Sequence, residues 1–144
     1  MDLLKDCLEL RHEIKEIDEL IEEIKAILYY PKCQDLSGMP KGEGSGESII
    51  DKLITKKSNL EKKKANIVCN LGNKWTVIEK ACKNAHISDA GIKLLSLRYY
   101  YGLSWKMVTL KMQDYTGQNW NDNKTFRVHR AVLYKLNKEF EKTA

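Results

Sequence analysis

Eight apolar residues at alternating spacings of four and three, Leu3, Cys7, Leu10, Ile14, Ile17, Ile21, Ile24 and Leu28, run through the first 28 positions of the chain. A seam held over four heptads specifies a helix. It is incompatible with a half-buried strand, whose side chains alternate with period two. Pro31 ends this helix after Tyr29 and Tyr30, because the residue before a proline is driven out of the helical region. At ~1.5 Å per residue the rod is about 40 Å long, more than a small core needs, and a coiled-coil partner is expected.

Residues 31–48 hold both prolines and four of the eight glycines, which marks a linker. Its Gly42-Glu43-Gly44-Ser45-Gly46 run lacks a following Gly-Lys-Ser/Thr, so it does not read as a phosphate-binding loop. From Ser48 to about Ala85 helical spacing returns with Ile50, Leu53, Ile54, Leu60, Ile67, Leu71, Trp75, Ile78 and Cys82. Gly72, between Asn70 and Asn73, is expected to weaken this second helix or kink it.

Charge is partitioned along the chain. Of the 144 residues, 25 are Lys or Arg and 20 are Asp or Glu, a net charge of +5. Counted in blocks, residues 1–31 carry −5, 32–50 carry −1, 51–87 carry +6 and 88–144 carry +5. An acidic helix joined to one bearing Lys56, Lys57, Lys62, Lys63 and Lys64 reads as an antiparallel hairpin whose flanks attract. The last third then keeps an uncompensated positive charge.

That last third has its own texture. Ser88 precedes Ile92, Leu94, Leu95, Leu97 and Tyr99, a capped helix ending at Tyr101-Gly102, and Ser104 caps a second short helix from Trp105 to about Met112. A third runs from about Asn121 to Glu141. Phe126, His129, Leu133, Leu136 and Phe140 form its apolar face. Lys124, Arg127, Val128, Ala131, Lys135 and Lys138 fall opposite. Basic residues with small apolar neighbours near a helix N-terminus are what major-groove reading needs: Arg or Lys donates to guanine, and apolar groups meet thymine methyls. His129, on the apolar face, reads as a packed core residue.

Leu94-Leu95-Ser96-Leu97-Arg98-Tyr99-Tyr100-Tyr101-Gly102-Leu103-Ser104-Trp105, followed by Phe126-Arg127-Val128-His129 and Leu133, resembles the helix-turn-helix of sigma factor region four. The closest likeness is to small phage and prophage transcriptional regulators of Gram-positive bacteria, of the ArpU/RinA type. Members look similar upstream too, with an acidic first helix, a Ser-Gly-Met-Pro and Gly-rich linker, here Ser37 to Gly46, and a second long helix. The chain departs from relatives in two places: Lys106-Met107 stands where they carry acidic residues, and Gln113–Asn121 makes a long connection, able to form a wing-like contact, where they have a short turn.

The expected architecture is all-α: a long antiparallel helical hairpin (coiled coil) over residues 1–86 with its linker at 31–48, then a three-helix, sigma region-four-like helix-turn-helix over 87–144. The resemblance implies a DNA-binding transcriptional regulator without catalytic activity or cofactor. Lys124, Arg127, Val128 and Ala131 would read bases, and Arg98, Ser104, Lys106, Lys111, Arg130 and Lys135 would contact phosphates. Double-stranded DNA is the expected partner, with host RNA polymerase as a second and a homodimer formed through the N-terminal helices.

Two other readings compete: a small terminase-like packaging subunit, which also joins a helix-turn-helix to long helices, and a coiled-coil interaction protein with a vestigial helix-turn-helix. An enzyme has little support, with three scattered histidines and no nucleophile motif. Cys82 and His86 lack the second pair a zinc site needs. The four cysteines form no CxxC pair, no segment is apolar enough for a membrane span, and Met1-Asp2-Leu3-Leu4-Lys5-Asp6 is unlike a signal peptide. A cytoplasmic address in a bacterial host is expected.

Overall fold

The computed structural model describes residues 2–29 and 48–143, the side chain of Thr143 excepted. The described part is all-α, with no strand. Its helices are α1 (Asp2–Tyr29), α2 (Ile49–Asn84), α3 (Asp89–Leu95), α4 (Trp105–Thr116) and α5 (Asp122–Thr143), and α3 continues into a π-helical turn at Ser96–Tyr100. The expected linker, apart from Ser48, lies outside the described residues.

The starts of α2, α3, α4 and α5 have local chemical causes. Ser48 Oγ accepts the Asp51 N–H at 3.1 Å while Asp51 Oδ2 accepts the Ser48 N–H at 3.5 Å, a reciprocal capping box for α2. Ser88 and Ser104 cap α3 and α4, accepting from Gly91 N–H at 3.2 Å and Met107 N–H at 3.3 Å. Asn121 Oδ1 caps α5 by accepting from Lys124 N–H at 2.8 Å. Each side chain satisfies an amide that the helix leaves without an internal partner.

The helix ends are equally local. After α2 the chain turns at His86, whose φ is 58°. The Ile87 N–H reaches Cys82 O at 3.0 Å and the His86 N–H reaches Lys83 O at 3.1 Å, which is the Schellman arrangement. Gly102 and Gly117, with φ of 68° and 66°, serve the turns before α4 and after it. The expected interruption of α2 at Gly72 does not occur. Leu71 beside it is fully buried, and tertiary packing outweighs the propensity cost of one glycine, about 1 kcal/mol.

The chain forms two compact units. One comprises Met1–His12 with Cys69–Ala144, the other Glu13–Val68. The unit that carries the C-terminal helices is therefore larger than the 87–144 expected, since it also takes in the first turns of α1 and the second half of α2. Arg11 of α1 explains part of this. Its Nε donates to Tyr100 O at 2.6 Å, and its guanidinium sits 5.3 Å from the centroid of the Tyr100 ring. That ring also lies 5.7 Å from Trp75 of α2. Asp6 and Lys74 pair at 3.8 Å in the same unit.

Leu94, Leu97, Val108, Met112 and Trp120 form a core cluster there, with Ala90, Leu103, Trp105 and Val128 packed against it. In the other unit Ile14, Ile17, Ile21 and Ile24 of α1 and Ile67 of α2 are buried, and Lys64 pairs with Asp18 at 2.6 Å. These four isoleucines are heptad-seam positions; nearer the start of α1, Leu4 is buried in place of the seam residue Leu3.

Candidate nucleic-acid interface

α4 and α5 are two helices joined by the segment from Gly117 to Asn121. The connection is short. Gln113–Thr116, expected as the first part of a long linking segment, form the last turn of α4, and Gly117 terminates it. What remains is anchored, because Trp120 is buried in the core cluster. A wing-like excursion over residues 113–121 is thereby removed.

Trp120 is held by a polar network inside that core. Its indole Nε1–H donates to Thr125 Oγ1 at 2.8 Å, and Thr125 Oγ1 lies 2.7 Å from Thr109 Oγ1. The Gln113 side-chain amide donates to the Trp120 carbonyl. Thr125 is completely buried and Thr109 nearly so, so these hydroxyls must find protein partners, and they do.

Thr125 also fixes the rotation of α5. With Val132 and Leu136 it forms the buried face, and Val128 joins them against the core cluster. The expected core face, led by Phe126, is displaced: Phe126 is 43% exposed. Val128 is turned inward and leaves the set of base-reading candidates. Arg127, Arg130, Ala131 and Lys135 are all exposed on the outer side. Lys124 flanks it half-buried, its Nζ 4.5 Å from the Trp120 ring centroid.

The phosphate candidates divide as well. Lys106 and Lys111 are exposed on α4. Ser104 is exposed, with its oxygen engaged in the α4 cap. Arg98 is half-buried: its Nη1 donates to Leu103 O at 2.9 Å and its guanidinium lies 4.7 Å from the Trp105 ring. One end of the guanidinium and its flat face thus engage the entry to α4, which makes Arg98 a clamp there.

His129 sits behind the outer face, half-buried, with Nε2 2.9 Å from the Tyr99 hydroxyl and its ring 4.6 Å from that of Trp105. Burial, helped by the nearby Arg98 charge, holds its pKa below the ordinary value. Burial raises that of Tyr99, against the opposing pull of Arg98. The neutral pair is a packing element, as the sequence reading has it. On the outer side, Tyr134 is 61% exposed and stacked by Lys138 at 4.4 Å. Neither the exposure of Tyr134 nor that of Phe126 is apparent until the α5 face is set by Thr125.

Among the described residues no group of three or more His, Cys, Asp or Glu is arranged to hold a metal ion, and no helix is long and apolar enough to cross a membrane. Comparison with protein-family models, with curated proteins and with solved structures found no match.

Proposed function

We propose that this chain is a phage-encoded, sequence-specific DNA-binding transcriptional regulator without catalytic activity, with α5 as its recognition helix. The observation that carries the reading is the pairing of Arg127 and Arg130, exposed one turn apart on the side of α5 turned away from buried Thr125, Val132 and Leu136. A major groove about 12 Å wide admits one such helix, and an Arg fork matches guanine O6 and N7. Ala131 supplies a small apolar contact. Lys106, Lys111 and Lys135 supply phosphate contacts around it.

The acidic α1 and basic α2 would form an antiparallel hairpin serving a homodimer or a contact with host RNA polymerase. Ion pairs between the two helices within each unit support this: Asp6 with Lys74 in one, Asp18 with Lys64 in the other.

Selection of bound sequences from a random duplex pool, followed by affinity measurement across salt, tests the reading. The expected result is a defined motif whose affinity falls steeply with salt, and Arg127→Ala costing about 1–3 kcal/mol on that motif and far less on random DNA. Absence of duplex binding at low salt overturns it.

A further inference from the structure

Phe126 stands in the second turn of α5, 43% exposed, among outward-facing Asn123, Arg127 and Arg130. A single exposed apolar residue is ordinary on a protein surface, but this one is held in place. Its ring lies 5.3 Å from that of Trp105, centroid to centroid, tilted by 57°. Trp105 is itself fixed by the Arg98 guanidinium at 4.7 Å and by the edge-on His129 ring at 4.6 Å. The inner side of Phe126 is thus backed by a stack of rings while its outer side meets solvent.

Phe126 and Arg127 are consecutive on α5, so their side chains leave the helix at the same level, about 100° apart. Arg127 points further outward and Phe126 lies to one flank. A pre-oriented apolar surface beside a guanine-matching fork has a natural counterpart in the major groove: the 5-methyl group of thymine, the one apolar feature among the base edges there. With Val128 turned inward, Phe126, Ala131 and Tyr134 are the exposed apolar or aromatic side chains on this side of α5, and of these Phe126 is the nearest to the helix N-terminus, while Tyr134 is already stacked by Lys138.

We infer that Phe126 reads a thymine methyl group in the major groove, at a base pair next to the one contacted by Arg127. The inference rests on the DNA-binding reading of α5 and adds to it a chemical requirement on the operator. Because the ring is already packed on Trp105, little side-chain freedom is lost when it docks.

The test uses the full chain, Phe126→Ala and Phe126→Leu, titrated against the selected duplex and against copies in which each thymine in turn is replaced by deoxyuridine, which removes the methyl group alone. At one thymine the replacement should weaken the unaltered protein about fourfold, the worth of one buried methyl. Phe126→Ala should be indifferent to it, and Phe126→Leu should keep part of the sensitivity. Specific binding with every deoxyuridine copy equivalent, or undiminished methyl sensitivity in Phe126→Ala, overturns the role of Phe126 and leaves the DNA reading standing. Failure to enrich any duplex overturns the DNA reading, and the inference with it.

Discussion

The indole N–H of Trp120 donates to the hydroxyl of Thr125 at 2.8 Å, and this bond joins the connection between α4 and α5 to the first turn of α5. Both residues are buried, so the phase of α5 depends on a polar contact inside an apolar core. Replacing Thr125 by the isosteric Val keeps the volume and strands the Trp120 N–H. The expected loss is about 1–3 kcal/mol, read as a lowered urea midpoint. Because Thr109 shares the network, the Thr109→Val and Thr125→Val losses should sum to more than the double variant shows.

Arg98 and Lys135 should behave oppositely. Arg98→Ala removes the clamp on Leu103 O and on Trp105, lowering the unfolding midpoint while leaving the salt slope of DNA binding unchanged. Lys135→Ala, on the exposed side of α5, should leave stability unchanged and reduce that slope by about one. A reduced slope in Arg98→Ala, at temperatures where it is folded, would return that residue to the phosphate contacts.

Three backbone positions should respond in different directions. A Cβ on Gly91 would lie 2.8 Å from an Ile87 methyl and 2.9 Å from a Val132 methyl, so Gly91→Ala should force α3 and α5 apart at a cost of about 1–3 kcal/mol. At Gly102 the positive φ adds strain to a 2.7 Å approach to Arg11 Cγ, and Gly102→Ala should also destabilise. His86 is exposed and already has a positive φ. His86→Gly should therefore stabilise, by about 0.5–1 kcal/mol. Thermal melts of the three variants check all of these.

Stability should fall as the solution is acidified below neutrality. The folded-state pKa of His129 is held below its ordinary 6.5 by burial, so the unfolded chain takes up its proton first. The contribution is complete above about pH 6.5 and is lost as pH falls through the folded-state value. Urea midpoints between pH 7.5 and 5 should decline more steeply in the unaltered protein than in His129→Gln, which keeps a polar partner for Tyr99 without the titration.

Thiol chemistry should separate the described cysteines. Cys69 is exposed, whereas Cys7 and Cys82 are buried. Burial pushes the Cys82 thiol up to about 11 and raises that of Cys7 as well. Alkylation under native conditions, located by peptide mass spectrometry, should modify Cys69 rapidly. Cys7 and Cys82 should react only once the chain unfolds.

The helices themselves were legible because their signals are local: the heptad seam of α1, the serines before α2, α3 and α4, and the asparagine before α5. The rotation of α5 was not. A count of apolar residues ranks Phe126 above Thr125, yet Thr125, Val128, Val132 and Leu136 hold helical spacing equally well. The choice between the two faces is made by Trp120 and Thr109, whose contacts with Thr125 no pattern within α5 encodes. For the same reason Arg98 reads as a surface cation until Leu103 and Trp105 are seen around it. The end of α4 is a different case: Gly117 marked it in the sequence, and the polar Gln113-Asp114-Tyr115-Thr116 stretch obscured it.

The bond from Arg11 to Tyr100 closes a loop of chain 89 residues long. During synthesis the first twelve residues leave the ribosome well before α3, α4 and α5 exist, so their native surroundings are assembled last. Completion of the unit must wait for translation to run past α5, and its folding rate carries the entropic cost of that closure. A fragment beginning at residue 87 would lack the aromatic and cationic contacts that α1 and α2 bring to the π-helical turn. The C-terminal helices are not a cassette to be lifted out of the chain without those contacts.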